Sequence, residues 1–453
     1  MKLQFFGATQ TVTGSKYLLE ESEKKYLIDC GLFQGDKELR LRNREPFPVD
    51  PATISAVILT HAHLDHSGYI PLLIQQGFNG KIFASHATCD LCGILLPDAG
   101  RIQEEDARLA NRYRYSKHSP ALPLYTEGDA KKSLHYFQPV GFEIPHALTN
   151  NLSFKFSHSG HILGSSFITL KNTQTTLVFS GDLGRPNDPI MTHPAQIPFA
   201  DYLVLESTYG NRRHPDSDVL NQLEEIINST FARGGSVIIP AFAVGRTQII
   251  LYYIYKLKED NRLPAHIPIY LDSPMAQDAT NLWNHYAAQH RLSKKECAKV
   301  CAIAEYVQSR EDSKHLNDFA FPCIILSASG MAEGGRILHH LEHYAPKEEN
   351  TILFTGFQAG GTRGDRILRG EREVKIHGRM VPIRARIETL DTLSSHADSE
   401  EIIDWLKGFK TPPKQIFITH GEPASAEALK EKIKTTLGWN ACVPHYLDSV
   451  DLS

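Results

Sequence analysis

The stretch Thr60-His61-Ala62-His63-Leu64-Asp65-His66-Ser67-Gly68 places three imidazoles and a carboxylate within six residues, directly after an apolar run typical of a buried strand. Imidazole nitrogens and carboxylate oxygens suit zinc and similar ions. Alternate residues of an extended segment point to opposite sides, so we expect His61 and His63 to share one metal ion. Asp65 and His66, past the bend, are then expected to face a second. Helix capping or a solvated loop would not need four such side chains, so the stretch predicts a binuclear metal site.

Length and composition are those of a globular protein with more than one domain. The chain has 453 residues, of which 41% are hydrophobic and 22% are charged. No apolar run approaches the ~20 residues that span a bilayer, and the N-terminus lacks a signal-peptide pattern. Seven cysteines without framework spacing fit a reducing compartment. We therefore expect a cytoplasmic protein without a membrane partner; whether it forms a homodimer is left open.

The charge of the chain is unevenly distributed. The net charge of −4 does not by itself indicate a nucleic-acid partner. Between Thr362 and Arg386, however, eight basic residues stand against three acidic ones. Such a stretch fits a polyanion-binding surface, although charge alone would equally fit solvated helix and hairpin faces.

Further candidate metal ligands follow other predicted strands. A pair of metal ions needs about seven or eight protein ligand positions, one of them shared. His161, Asp182 and His420 each lie at a strand end beside a glycine. Asp29 also ends a predicted strand, where a turn-forming role would be the default interpretation. Each residue is a weak candidate alone, and together they supply the missing positions.

The pattern changes from about Thr208, where apolar β-branched runs alternate with helical segments. This alternation predicts a parallel sheet covered by crossover helices. Three of its strands lead into Gly/Ser-rich turns that could bind phosphate groups, namely 241–246, 327–331 and 356–364. None of the turns has the P-loop pattern, which argues against an NTPase.

The whole set of motifs resembles a known family. The order Asp29, His61-x-His63-x-Asp65-His66, His161, Asp182 resembles the four ligand motifs of the metallo-β-lactamase superfamily. Glu206 in Glu206-Ser207-Thr208-Tyr209-Gly210, His396 in Ser394-Ser395-His396-Ala397-Asp398 and His420 in Thr419-His420-Gly421-Glu422 are similar to the three additional motifs of the β-CASP nucleases. The resemblance extends over essentially the whole chain.

The resemblance implies an α/β fold in which an αββα metallo-β-lactamase sandwich contains an inserted parallel-sheet β-CASP domain. We expect the first part of the core over 1–207, the β-CASP domain over 208–375 and the C-terminal part of the core over 376–453. The chain has no counterpart of the additional C-terminal domain of RNase J enzymes, which favours an endonuclease.

The resemblance also implies roles for individual residues. Two zinc ions are expected, with manganese as an alternative, and Asp182 would bridge them. His61, His63 and His161 would complete one site, and Asp65, His66 and His420 the other. Asp29 would orient a ligand histidine or the reacting hydroxide. The turn residues expected to bind the phosphates of single-stranded RNA are Ser327, Ser329, Gly330, Gly361 and Thr362.

The expected reaction is hydrolysis of RNA phosphodiesters by a hydroxide bridging two metal ions, mainly as an endonuclease, with 5′-exonuclease activity left open. His396 would act as general acid, while Glu206 would hold its tautomer and raise its pKa. A DNA nuclease of the same family is the nearest alternative, but that branch usually has an apolar residue at the position of His420. A lactamase or thioesterase would not need the insertion, and a non-catalytic RNA-binding relative would have lost metal ligands.

Overall fold

The computed structural model describes residues 1–452 except 115–117, 216–217, 319–320, 357 and 359. The chain divides into two compact units. The first unit combines Met1–Arg213 with His396–Ser453, and the second is the inserted segment His214–Ser395. Each unit has its own sheets and its own hydrophobic core.

The segment up to residue 213 contains more strands than helices. The strands are β1 (Lys2–Phe5), β2 (Tyr17–Glu21), β3 (Lys24–Ile28), β4 (Ile54–Ile58), β5 (Lys81–Ser85), β6 (Phe137–Val140), β7 (His146–Ala147), β8 (Ser153–His158), β9 (Ser166–Lys171), β10 (Thr176–Phe179) and β11 (Tyr202–Glu206). The helices are α1 (Lys37–Arg42), α2 (Leu64–Ser67), α3 (Ile70–Gln75), α4 (His86–Tyr113) and α5 (Glu127–Ser133).

The inserted segment alternates between strands and helices, as its sequence pattern predicts. Its helices are α6 (Val219–Ala232), α7 (Arg246–Glu259), α8 (Pro274–His285), α9 (Lys294–Cys301), α10 (Arg310–His315), α11 (Ile337–Tyr344) and α12 (Arg363–Leu368). Its strands are β12 (Val237–Pro240), β13 (Ile269–Leu271), β14 (Glu305–Tyr306), β15 (Ile324–Ser327), β16 (Thr351–Phe354), β17 (Glu373–Ile376), β18 (Arg379–Pro382) and β19 (Arg386–Thr389).

The C-terminal segment returns to the first unit. It contains α13 (Ser399–Leu406), β20 (Gln415–Thr419), α14 (Pro423–Leu437), β21 (Ala441–Cys442) and β22 (Ser449–Asp451). Helix α13 begins where the Asp398 carboxylate accepts hydrogen bonds from the backbone N–H groups of Glu400 and Glu401.

Two sheets form the centre of the first unit. One has the order β22-β1-β2-β3-β4-β5-β6 and the other β21-β20-β11-β10-β9-β8-β7. Alternate residues of each strand face the other sheet, and a buried core that includes Phe5, Phe83, Phe156 and Phe417 fills the space between them. The second sheet uses its other face to pack against α13 and α14 through residues such as Trp405. This is the expected αββα sandwich.

The second unit is built on one parallel sheet with the order β14-β13-β15-β12-β16-β19. Its core includes Ile238, Ile325, Phe354 and Leu341, all fully or almost fully buried. Strands β17 and β18 form a separate antiparallel hairpin, which contributes Val374 and two other residues to that core.

The end of the inserted unit differs from the sequence expectation. We expected the core to resume at residue 376, but β17, β18 and β19 all belong to the second unit. Strand β19 is the reason, because it pairs with β16 and completes the edge of the parallel sheet. The chain re-enters the first unit only at His396, which bridges to Gly184. The first boundary, expected at 207/208, lies at 213/214.

Among the helices that the structure describes, none has both the length and the apolar character of a membrane span.

The packing between the two sheets gives a direct test of the fold. Replacing Phe156, which is fully buried, with alanine should lower the free energy of unfolding of the first unit by about 3–5 kcal/mol. Phe199 is 46% exposed, and its replacement by alanine should cost less than about 0.5 kcal/mol. Urea denaturation followed by circular dichroism measures both variants, and similar midpoints for the two would contradict the assigned core.

Candidate metal centre

The candidate residues lie where neighbouring parallel strands end. Strands β3 and β4 run parallel in one sheet, and β10, β11 and β20 run parallel in the other. Parallel strands present their carboxyl ends at the same sheet edge, so residues distant in sequence are brought together. The residues that follow or end these strands are Asp29, His61, Asp182, Glu206 and His420.

Close backbone packing and unusual backbone conformations fix the residues at these strand ends. The turn after β3 packs so closely on α2 that a Cβ on Gly31 would lie 1.6 Å from the Asp65 carbonyl oxygen. Asp29 and His420 adopt left-handed backbone conformations, with φ of 57° and 48°. A non-glycine residue there costs roughly 1–2 kcal/mol, so the surrounding fold must hold both residues in place.

Four donor atoms converge into a first group from His61, His63, His161 and Asp182. His63 Nδ1 lies 3.2 Å from both His61 Nε2 and His161 Nε2. Asp182 Oδ2 lies 3.3 Å from His61 Nε2 and 3.4 Å from His161 Nε2. A tetrahedral zinc ion bound at about 2.0–2.1 Å requires ligand atoms about 3.3–3.4 Å apart. The group therefore has the dimensions of a tetrahedral zinc site.

A second group combines Asp65, His66 and His420. His420 Nε2 lies 3.2 Å from His66 Nε2 and 3.3 Å from Asp65 Oδ2. Asp182 reaches this group with its other oxygen, Oδ1, which is 3.2 Å from His66 Nε2. Asp182 Oδ1 is buried and accepts no hydrogen bond within the described part of the chain. One carboxylate thus faces both groups, as a bridging ligand would, and the donor set fits a pair of metal ions.

Burial and charge set the protonation states of these groups. Burial lowers the pKa of His61 to about 3 and that of His161 well below its ordinary value. Both rings are therefore neutral at pH 7, which is the form that binds metal. Burial would raise the pKa of Asp182, but the adjacent histidines, His420 foremost, hold it well below the ordinary value. For His66 the effect of burial is outweighed by Asp182 and Asp29, which raise its pKa.

Asp29 lies behind the second group and supports it. His66 Nδ1–H donates to Asp29 Oδ2 over 2.7 Å, which leaves His66 Nε2 directed at Asp182 and His420. The N–H of Thr60 donates to Asp29 Oδ1 over 2.7 Å, and its hydroxyl donates to Oδ2 over 2.8 Å. Asp29 therefore holds the ring of His66 in place, and its expected role of orienting a ligand histidine stays a prediction.

Other polar side chains support the centre and were missed by the sequence analysis. Thr208 Oγ1 lies 3.1 Å from His420 Nδ1, and Ser15 Oγ lies 3.3 Å from His66 Nε2. Thr208 belongs to the Glu206 motif, so its position beside a motif residue was the available signal. Ser15 follows Gly14 in an ordinary turn pattern, which carries no such signal.

His396 and Glu206 form a separate pair beside the first group. His396 Nδ1–H donates to Glu206 Oε1 over 3.0 Å, and the His396 ring lies 4.5 Å from that of His161. Glu206 also accepts hydrogen bonds from the N–H groups of Leu183 and Thr208. Burial would lower the pKa of His396, but Glu206 and then Asp182 raise it to about 9. His396 is thus cationic at pH 7, as a proton donor must be.

The residues expected to contact substrate phosphates lie in the second unit. The turns after β15 and β16 meet there, since Gln358 Nε2 donates to the Gly330 carbonyl and Gly364 N–H to the Met331 carbonyl. The hydroxyls expected to face phosphate have partners within the protein. Ser327 Oγ donates to the Asp272 carbonyl, Ser329 Oγ accepts from Glu333 N–H and Thr362 Oγ1 caps α12 at Asp365 N–H. Gly361 N–H donates to Asp365 Oδ2.

The fold and the donor set define a metal-dependent hydrolase of the metallo-β-lactamase type. The sequence matches the Metallo-beta-lactamase superfamily over residues 11–134, the Beta-Casp domain over 247–367 and the Zn-dependent metallo-hydrolase RNA specificity domain over 380–444. The chain belongs to the β-CASP family of the metallo-β-lactamase superfamily. The family and fold class expected from the sequence are confirmed.

Named relatives cover nearly the whole chain. Ribonuclease TTHA0252 of Thermus thermophilus is 37% identical over 437 residues, which are 95% of each chain. Transcription termination factor FttA of Methanocaldococcus jannaschii is 29% identical over 99% of this chain and 71% of its own length. A crystal structure of a protein of unknown function from Enterococcus faecalis V583 superposes with a TM-score of 0.53 at 12% identity, and covers 100% of this chain and 99% of that one. That structural likeness concerns the fold alone.

The pairing of His396 with Glu206 predicts a measurable shift. Glu206→Gln removes the negative charge that favours the imidazolium, so the pKa of His396 should fall from about 9 towards or below its ordinary value of 6.5. NMR pH titration of ¹³C-labelled histidines, with His396→Ala for assignment, gives this value. Glu143→Gln, which removes a carboxylate paired with Lys155, is the control. An unchanged pKa in Glu206→Gln would contradict the pairing.

Proposed function

We propose that the chain is a zinc-dependent ribonuclease, mainly an endonuclease, that hydrolyses phosphodiester bonds of single-stranded RNA. The observation that carries the proposal is the arrangement of Asp182 between two groups of metal-binding side chains, with the His396–Glu206 pair beside them. A single-metal hydrolase would not need the second group. The relative named a ribonuclease and the match to an RNA specificity domain support RNA as the substrate.

Two zinc ions fit the donor set better than other common ions. The first group offers three imidazole nitrogens and one carboxylate oxygen, and the second offers two of each when Asp182 is shared. Imidazole-rich sets favour zinc, whereas manganese and magnesium prefer sites dominated by oxygen. The ions would be held by His61, His63, His161 and Asp182 on one side and by Asp65, His66, His420 and Asp182 on the other.

The metal ions and the His396–Glu206 pair would have different roles in the reaction. When bound, two metal ions would lower the pKa of water and stabilise the charge that develops on the phosphate. His396, protonated at pH 7, would donate its Nε2 proton to the leaving ribose oxygen. Glu206 would keep the other proton of that ring on Nδ1, and its negative charge would favour return of a proton from water to Nε2 after each turnover. The products would carry a 5′-phosphate and a 3′-hydroxyl.

We further propose that the second unit binds the RNA backbone. Because the hydroxyl of Ser327 and the amide of Gly361 donate within the protein, the contribution of these turns would come from their other backbone amides, a recurrent phosphate-binding device. The basic stretch supplies the charge, although Arg366 is paired with Glu371 and Arg369 with Asp365. Lys375 and Arg379 are exposed on the hairpin and would act through long-range attraction.

The roles of the histidines can be separated experimentally. His396→Ala should retain bound zinc and lose about 10²–10⁴-fold in the rate of cleavage, because only the proton donor is removed. His63→Ala should lose zinc and activity together, since it removes a ligand. Metal content by plasma mass spectrometry and cleavage of a labelled RNA measure the two effects. The exposed His266 gives the control His266→Ala. Cleavage by His396→Ala at the wild-type rate would refute the general-acid assignment.

The substrate class can be tested with matched nucleic acids. The test compares three substrates: a linear RNA, the same RNA circularised and a DNA of the same sequence. We expect cleavage of both RNAs and little of the DNA. A circle has no 5′ end, so its cleavage establishes endonuclease action. Equal rates on RNA and DNA would contradict the proposed substrate, and an intact circle would contradict endonuclease action.

The contribution of the basic hairpin to binding should depend on salt. Replacing Lys375 and Arg379 with alanine should weaken RNA binding and reduce the slope of log K against log[salt] by about 0.7 for each phosphate that these side chains neutralise. Fluorescence anisotropy with the non-cleaving His396→Ala protein measures this slope. Lys434→Ala, an exposed lysine on α14, is the control. An unchanged slope would exclude the hairpin from the RNA-binding surface.

A further inference from the structure

A further group of side chains that could hold a metal ion lies in the inserted unit. It consists of His339 and Glu342 on α11 and His377 at the tip of the β17–β18 hairpin. One donor atom from each residue lies within 4.8 Å of the others. None of the three belongs to the centre described above, which is built entirely in the first unit.

The geometry of the cluster is close to that of a zinc site. His339 and Glu342 are three residues apart and therefore share one face of α11. Glu342 Oε2 lies 2.8 Å from His377 Nδ1 and 3.8 Å from His339 Nδ1. One distance is shorter and the other is longer than the separation of about 3.3–3.4 Å between two ligand atoms of a tetrahedral zinc ion. A small side-chain rotation would make them equal, and the 61% exposure of His339 leaves room for it.

A hydrogen bond between the hairpin and α11 requires only one histidine, so it does not account for His339. A bond from His377 to Glu342 would tie the hairpin to the helix with a single imidazole. Yet the His339 ring stacks on that of His377, with centroids 4.5 Å apart and planes 29° apart. Two imidazoles and a carboxylate from two separate elements are a typical ligand set for zinc, with water in the fourth position.

The backbone at His377 fixes the position of its imidazole. His377 and Gly378 have φ of 45° and 84°, so both central residues of this two-residue hairpin turn are left-handed. Such a turn favours asparagine, aspartate or glycine at its first central position. Histidine is also among the side chains enriched in left-handed conformations, so the turn accommodates His377 and holds its ring at the hairpin tip, with Nδ1 2.8 Å from Glu342 Oε2.

We propose that His339, Glu342 and His377 bind a zinc ion that fastens the tip of the β17–β18 hairpin to α11. The two strands pair only with each other within the described residues, and a two-stranded ribbon is marginally stable without further anchoring. Val374, Ile376 and Val381 anchor its body in the core, and the ion would anchor its tip. Glu342 would supply the negative charge that a divalent ion needs beside a basic hairpin.

The binding test uses the full chain without a histidine tag, loaded with zinc and then freed of excess metal. Calorimetric titration with zinc chloride should show one further binding event at about one equivalent in the wild-type protein. His377→Asn removes the imidazole and keeps a residue that the turn favours, so the fold should persist while this event disappears. Glu342→Gln should weaken it. His343→Ala, on the same helix but outside the cluster, should retain it.

The structural consequence is measured by hydrogen exchange. Added zinc should slow exchange of the amides of residues 373–382 in the wild-type and His343→Ala proteins, and leave it unchanged in His377→Asn. The proposal is overturned if His377→Asn binds zinc as the wild type does, or if His343→Ala loses the event equally. It is also overturned if zinc binds without slowing exchange in the hairpin. These readouts do not involve RNA cleavage, so they are independent of the proposed catalytic function.

Discussion

The buried carboxylate of Asp182 is the constraint on which the first unit depends. It is almost completely inaccessible to solvent, and its two oxygens face two different groups of histidines. A buried charge must be matched by charges of opposite sign or by a metal, because the cost of removing an ion from water is large. Metal ions on both sides of Asp182 would satisfy this requirement, and the parallel strand ends hold the other candidate ligands at the necessary distance.

The architecture follows from the need to bring both ends of the chain to this carboxylate. Asp182 and Glu206 come from the first 213 residues, whereas His396 and His420 come from the returning segment. Strand β20 pairs in parallel with β11, so that Thr419 lies opposite Glu206 in register and His420 follows at the sheet edge. The insertion leaves the site intact because β20, which follows it, pairs with β11, the last strand before it.

Much of the centre could be predicted because its ligands combine rare residue types with glycine-flanked strand ends. The supporting hydroxyls of Thr60 and Ser15 could not, since threonine and serine are common and their partners are distant in sequence. The compact inserted unit extends past the expected boundary at residue 375 because the edge strand β19 pairs with β16, and the sequence of one short strand does not reveal its partner. Likewise, the turn hydroxyls of Ser327 and Thr362 take part in hydrogen bonds within the protein that a Gly/Ser pattern alone does not show.

The central claim is that Asp182 lies between two zinc ions. Anomalous diffraction at the zinc absorption edge, from crystals of the protein grown without added metal chelator, tests it most directly. The account predicts two anomalous peaks, each about 2.0–2.2 Å from one oxygen of Asp182, with one peak bound by His61, His63 and His161 and the other by Asp65, His66 and His420. A single peak, or peaks that do not contact Asp182, would contradict it.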